Sequence, residues 1–215
     1  MWRKFIEQIQ NLLIPENKRV QKLLELDAAV MRALLPKSPT NIKDILVLFD
    51  YHNKIVRDIV KTIKYRNNAS LRKRIASYLY EELTEISSDI LLFGGSPPII
   101  VPMPMSRGEK QKKGFNQCEE ILREVEKLSN GNLEVSYNAL QKIRETKRQT
   151  ELGREERLLN VENSMQVFDS DSYKIKNQTI IVLDDVYTTL SSFSEAKRAL
   201  LSSGAVRVYG LFIAH

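Results

Sequence analysis

The chain is poor in the residues that usually build metal, disulfide or redox sites: one cysteine, two histidines and one tryptophan among 215 residues. A lone Cys118 excludes an internal disulfide and a cysteine-cluster zinc site. His52 and His215 sit in unrelated contexts and do not suggest a metal pair or a catalytic couple. Nothing has the layout of a signal peptide or of a membrane span, so a cytoplasmic location is expected. A nucleotide P-loop is absent, because Gly114 is followed by Phe115 and Asn116 and not by the lysine and hydroxyl that such a loop requires. No serine-nucleophile motif, internal repeat or low-complexity tract is evident. Acids are in deficit: 33 Lys and Arg stand against 27 Asp and Glu, for a formal net charge of +6. That balance suits anionic ligands, nucleic acid included.

What is present divides at Phe93-Gly94-Gly95-Ser96-Pro97-Pro98, the densest cluster of turn formers in the chain. Residues 1–92 read as a helical N-terminal region. Its first helix carries Trp2, Phe5, Ile6, Ile9, Leu12 and Leu13 on one face and ends at Pro15; a second runs through Val20, Leu23, Leu24, Val30 and Leu34 and ends near Pro36. Packing against the body is the reading preferred for the first helix over a membrane surface. Further helices are expected at about 53–64 and 70–85, with Ile45–Phe49 open to either strand or helix. Residues 97–215 read as an α/β domain with a mainly parallel sheet.

The segment richest in chemistry lies at 179–192. Thr179 to Leu183 is too apolar to alternate, as expected of a strand covered on both faces, and it delivers Asp184 and Asp185 into a hydroxyl-rich turn. Ser192 and Glu195 have capping-box spacing, and Phe193, Ala196, Ala199 and Leu200 form one helical face that stops at Gly204. Strand, acids, hydroxyls and helix N-terminus in that order suit a phosphate beside a polyol. Two other stretches fit an anion. Ile99-Ile100-Val101 runs into Pro102-Met103-Pro104 and a loop with Arg107, Lys110, Lys112 and Lys113, then a helix with Cys118, Ile121, Leu122, Val125 and Leu128 on its apolar face. A charged flap, Arg144 to Asn160, is bounded by strands expected at Leu140–Ile143 and Met165–Phe168; its Arg148, Arg154 and Arg157 could close over an anion.

The acid-bearing segment resembles the signature of type I phosphoribosyltransferases. Lys113-Gly114-Phe115-Asn116-Gln117, and the Arg144, Gln149-Thr150, Arg157, Asn160-Val161, Phe168 order, are similar to the ComF branch of that fold. Together these matches span most of Phe49 to His215. The resemblance implies a type I phosphoribosyltransferase fold. It implies that Asp184 and Asp185 hold the ribose hydroxyls of phosphoribosyl pyrophosphate and, through the ligand, Mg2+. It gives the 5′-phosphate to Thr188, Thr189, Leu190, Ser191 and Ser192, and the diphosphate to Arg107, Lys113 and the flap residues Arg148, Arg154 and Arg157. The implied reaction is phosphoribosyl transfer to a nitrogen acceptor. A rival expectation is a catalytically weak or inactive protein acting in competence and DNA uptake, through ligand, single-stranded DNA or protein partners.

Three departures qualify the likeness. Leu190 stands where the family usually has glycine; left-handed backbone there costs about 1 to 2 kcal/mol, or about tenfold in affinity. The four-cysteine zinc module that begins many ComF members is missing. Thr188 replaces the acid of purine-type enzymes, which disfavours purine salvage. With the strand Val206–Ile213 so near His215, any hood over the acceptor is expected from the N-terminal helices. The acceptor and oligomeric state stay open, with a dimer compatible.

Overall fold

The computed structural model describes residues 18–66, 68–144, 162–168, 174–187 and 191–215. Five parallel strands form the sheet, in the order β1-β7-β6-β2-β3: β1 (Ile45–Phe49), β2 (Ile99–Pro102), β3 (Glu134–Val135), β6 (Thr179–Val186) and β7 (Arg207–Ala214). A separate antiparallel ladder joins β4 (Gln141–Lys142) to β5 (Met165–Gln166). Helices are α1 (Lys18–Leu24), α2 (Ala28–Leu34), α3 (Lys54–Arg66), α4 (Ala69–Leu92), α5 (Arg107–Lys113), α6 (Gln117–Ser129) and α7 (Ser191–Ser202). This is the α/β class with a parallel sheet flanked by helices that the sequence leads one to expect.

The central strand β6 is apolar because it has no solvent face: Ile180, Ile181, Val182 and Leu183 are fully buried, paired to β2 on one side and β7 on the other. Ile45–Phe49, ambiguous by pattern, becomes a strand because β7 offers it a parallel partner, with Ile45 opposite Gly210 and Phe49 opposite Ala214. The N-terminal region thus supplies an edge of the sheet, and one hydrophobic core runs through residues on both sides of the Gly94–Pro98 turn.

Four details differ from the pattern. The helix expected across Val20 to Leu34 is two helices, because the Asp27 side chain accepts the Ala29 N–H at 2.8 Å and starts α2 afresh. The restart turns Val30 and Leu34 outward. α4 extends past residue 85 to Leu92, since nothing breaks the helix before Gly94, whose φ is 80°. Leu128 lies 47% exposed at the end of α6, whereas Cys118, Ile121, Leu122 and Val125 are buried as expected. Ser192 lies inside α7 rather than before it, and Glu195 accepts the Met165 N–H at 3.1 Å and bonds Arg198.

The order of the strands decides where a ligand can sit. The chain passes from β2 outward to β3, then returns through β4 and β5 to place β6 on the opposite side of β2. β2 and β6 therefore flank a topological switch point, and in open α/β sheets ligands bind outside the carboxyl ends of such strands. Pro102 and Leu183 are partners in this register, so the loop after β2 and the acids after Leu183 emerge side by side. The Met103 N–H donates to Leu183 O at 2.8 Å and prolongs the pairing into the loop.

Candidate ligand site

At the end of β6, strand alternation sends neighbouring side chains to opposite faces. Asp185 is buried and Asp184 is half-buried. Gln117 Nε2 donates to Asp185 Oδ2 at 2.7 Å, and Lys64 Nζ lies 3.6 Å from the same oxygen. Lys113 donates in turn to Gln117 Oε1. Asp184 Oδ1 accepts the Asp185 N–H at 2.8 Å.

The Lys113–Gln117 stretch explains itself residue by residue. Lys113 ends α5 and lies 4.9 Å from the Phe115 ring, and Gly114 takes the left-handed φ of 83° that caps the helix. Phe115 is buried. Asn116 caps α6 through the Cys118 N–H at 2.9 Å and donates to Met103 O at 2.9 Å, tying α6 to the loop after β2. Gln117 then points at Asp185. Ser106 starts α5 with a complete capping box to Glu109, so the basic loop has both ends fixed.

Electrostatics follow from this packing. Burial, then the like charge of Asp185, push the Asp184 carboxyl up to about 7, against the pull of the Asp185 N–H, Lys64 and Lys142. Burial lowers Lys113 to about 8, although Asp185 acts to raise it. For Lys64, burial works downward but the carboxylates of Asp185 and Asp184, together with Tyr65, outweigh it and hold the ammonium above its ordinary value. Burial and the two aspartates push the Cys118 thiol far up, which leaves it unreactive.

Asp184 titration has a stability consequence. Between the ordinary carboxylate value and about 7, the folded state holds a proton that the unfolded chain has released, so stability falls as pH rises through that window. Asp184→Asn is therefore expected to melt near wild type at pH 4 and above it at pH 8, by about 1 to 3 kcal/mol after solvent screening. Thermal melts at the two pH values check it; equal melting at both contradicts the raised value.

The acids, Lys113 and the α7 start with Ser191 and Ser192 stand at or beside this end of the sheet. Arg107 is exposed on the first turn of α5 and makes no ion pair with either acid among the described residues. Thr188, Thr189, Leu190, Arg148, Arg154 and Arg157 lie outside the described residues. Three contributors were given no site role from sequence: Gln117, named only as part of the Lys113–Gln117 motif, Lys64, and Lys142, the last paired with Glu109 at 3.4 Å. Lys64 was legible in part, because Val56, Val60 and Lys64 fall on one stripe of α3 and a lysine there breaks an otherwise apolar face.

Mg2+ can be tested against the donors present. Asp184 and Asp185 offer hard carboxylate oxygens of the kind that suit the ion. Yet no group of three or more His, Cys, Asp or Glu side chains is arranged to cage a metal among the described residues. Two carboxylates supply part of the oxygen shell that such an ion takes.

Comparison with curated proteins points the same way as the motifs. The chain is 25% identical over 170 residues to competence protein ComFC of Bacillus subtilis, covering 77% of this chain and 63% of that protein. It is 27% identical over 158 residues to ComFC of Streptococcus pneumoniae, covering 74% and 62%. The chain is thus similar to the ComFC competence proteins over about three quarters of its length. It spans less than two thirds of the length of either relative. No protein-family model matches the chain. Similar solved structures include hypoxanthine phosphoribosyltransferase of Trypanosoma cruzi, at 10% identity and a TM-score of 0.41, covering 66% of this chain and 64% of that one. Another is the hypoxanthine-guanine enzyme of L. donovani, at 10% identity and a TM-score of 0.40, covering 66% and 67%. No helix among the described residues is long and apolar enough to cross a membrane.

Proposed function

We propose that this protein binds phosphoribosyl pyrophosphate with Mg2+ at the Asp184–Asp185 end of β6 and transfers its phosphoribosyl group to a nitrogen acceptor. The observation that carries this is the acid pair at the β2/β6 switch point, with Asp185 fixed by Gln117 and basic side chains on both sides. Asp184, the more open acid, accepts hydrogen bonds from the ribose hydroxyls, while Gln117 keeps Asp185 in place beside it. Lys113 and Arg107 take diphosphate oxygens, with Arg148, Arg154 and Arg157 closing over them, and the stretch from Thr188 through Thr189, Leu190 and Ser191 to Ser192 takes the 5′-phosphate. In the transfer, a C–N bond forms at C1 of the ribose as its C–O bond breaks, and the electron pair leaves with pyrophosphate. The chain's part is positioning and charge neutralisation. Mg2+, when bound with the ligand, screens the diphosphate charge.

Binding should follow a bell in pH. The rising limb comes from ionisation of Asp184 near 7 and the falling limb from loss of the Lys113 charge near 8. Calorimetric titration of phosphoribosyl pyrophosphate with Mg2+ between pH 6 and 9 is expected to give tightest binding between those values. A flat profile, or binding indifferent to Mg2+, counts against the assignment.

The name of the relatives favours a second reading, in which the protein serves competence and DNA uptake by binding single strands or partner proteins. The net charge of +6 is compatible with it. Affinity for single-stranded DNA that falls steeply with salt and persists without Mg2+ would support this second reading over the first. A cytoplasmic location suits either role.

A further inference from the structure

The helix α3 ends beside the candidate site. Val56, Ile59, Val60 and Ile63 bury its inner face, and Lys64 continues that stripe to Asp185. Asp185 does not depend on Lys64 for its orientation, because Gln117 already holds the same oxygen at 2.7 Å. The Lys64 ammonium, at 3.6 Å from that oxygen, makes a long contact compared with the 2.7 Å bond from Gln117. Its side chain is 43% exposed. Lys113 lies on the other side of Gln117, and Lys142 is close enough to act on Asp184. Three lysines thus stand around the two aspartates, with Lys142 also paired to Glu109 at 3.4 Å. A long ion pair on a partly exposed side chain, to a carboxylate already held by another partner, can be exchanged for a contact to an incoming anion.

We propose that Lys64, delivered by α3 from the N-terminal region, is a ligand-contacting residue that leaves Asp185 to take a phosphoryl oxygen of the bound phosphorylated sugar. This rests on the ligand reading above and extends it: the site is composite, and its N-terminal part supplies a charge as well as an edge strand. The phosphoryl group could be the 5′-phosphate or the diphosphate, and the test separates the two.

The test uses the full chain, with Lys64→Met and Lys64→Arg compared with wild type. Each is titrated with phosphoribosyl pyrophosphate, ribose 5-phosphate and inorganic pyrophosphate, all with Mg2+. Loss of one charge-assisted contact is expected to weaken phosphoribosyl pyrophosphate about tenfold to hundredfold in Lys64→Met, with most of the affinity restored in Lys64→Arg. A parallel loss for pyrophosphate but not ribose 5-phosphate assigns Lys64 to the diphosphate; the reverse assigns it to the 5′-phosphate. Because the side chain is partly exposed, both variants should melt near wild type, and if Lys64→Met does not fold, Lys64→Gln replaces it. Wild-type binding that Lys64→Met leaves unchanged, or a loss that arginine does not restore, overturns the role of Lys64 while the ligand reading stands. A wild type that binds none of the three overturns both.

Discussion

Replacing Asp184 and Asp185 together by asparagine is expected to remove measurable binding of phosphoribosyl pyrophosphate, a loss of at least about a hundredfold. Asparagine keeps the shape of each side chain but removes the charge and puts a donor where a ligand hydroxyl would donate. At Asp185 the damage spreads inward, because Gln117 Nε2 needs an acceptor at 2.7 Å and an amide turned the wrong way offers it a second donor. Lys64 loses its counter-charge at the same time. The fold should survive, since loss of the Asp184 charge relieves the burden that burial and Asp185 place on it. Calorimetry together with melting curves checks both halves. A double variant that still binds at wild-type strength would mean that the ligand, if any, lies elsewhere.

The largest expected loss of stability belongs to a residue with no chemistry. Gly210 lies in β7, where a Cβ would come within 2.7 Å of Phe212 Cε2 and 3.0 Å of Phe193 Cε2. Phe193 stacks edge-on against Phe212 at 5.9 Å and anchors the first turn of α7, directly after the loop from the acids. Valine at 210 must push these rings apart in a core with no slack, at a cost of about 1 to 3 kcal/mol. For a chain of this length that lowers the melting temperature by roughly 2 to 4 °C per kcal/mol. Because α7 shifts with Phe193, Gly210→Val should also weaken any anion bound at Ser191 and Ser192. An unchanged melt would show that the rings yield freely.

The glycine shows why part of the fold was not legible in the sequence. β6 was plain because four consecutive residues are buried on both faces; strands were expected at Leu140–Ile143 and Met165–Phe168, but their shorter extent and their pairing as β4 and β5 were not. The helix of Ala69–Leu92 was recognised but cut short, since propensity marks where a helix can start better than where it must end. Ile45–Phe49 took its identity from β7, a partner some 160 residues away. The site divides in the same manner. Asp184 and Asp185 stand out as adjacent acids after an apolar run. Gln117 lies in the Lys113–Gln117 motif and Lys64 interrupts an apolar stripe, but their contacts to Asp185 arise only when α6, α3 and β6 converge. The break at Asp27 was within reach, as an aspartate two residues before Ala29 has the spacing of a helix cap.

The central claim is that the acids at the β2/β6 switch point hold a phosphorylated ribose. The most direct measurement is a nuclear magnetic resonance titration of the isotopically labelled chain with phosphoribosyl pyrophosphate and Mg2+, following backbone amides and the Lys64 and Lys113 side chains. Saturable shifts concentrated at Met103 to Gln117, Asp184 to Ser192 and Lys64 are the predicted result. Saturable shifts confined to another surface, or none at millimolar ligand, would contradict it.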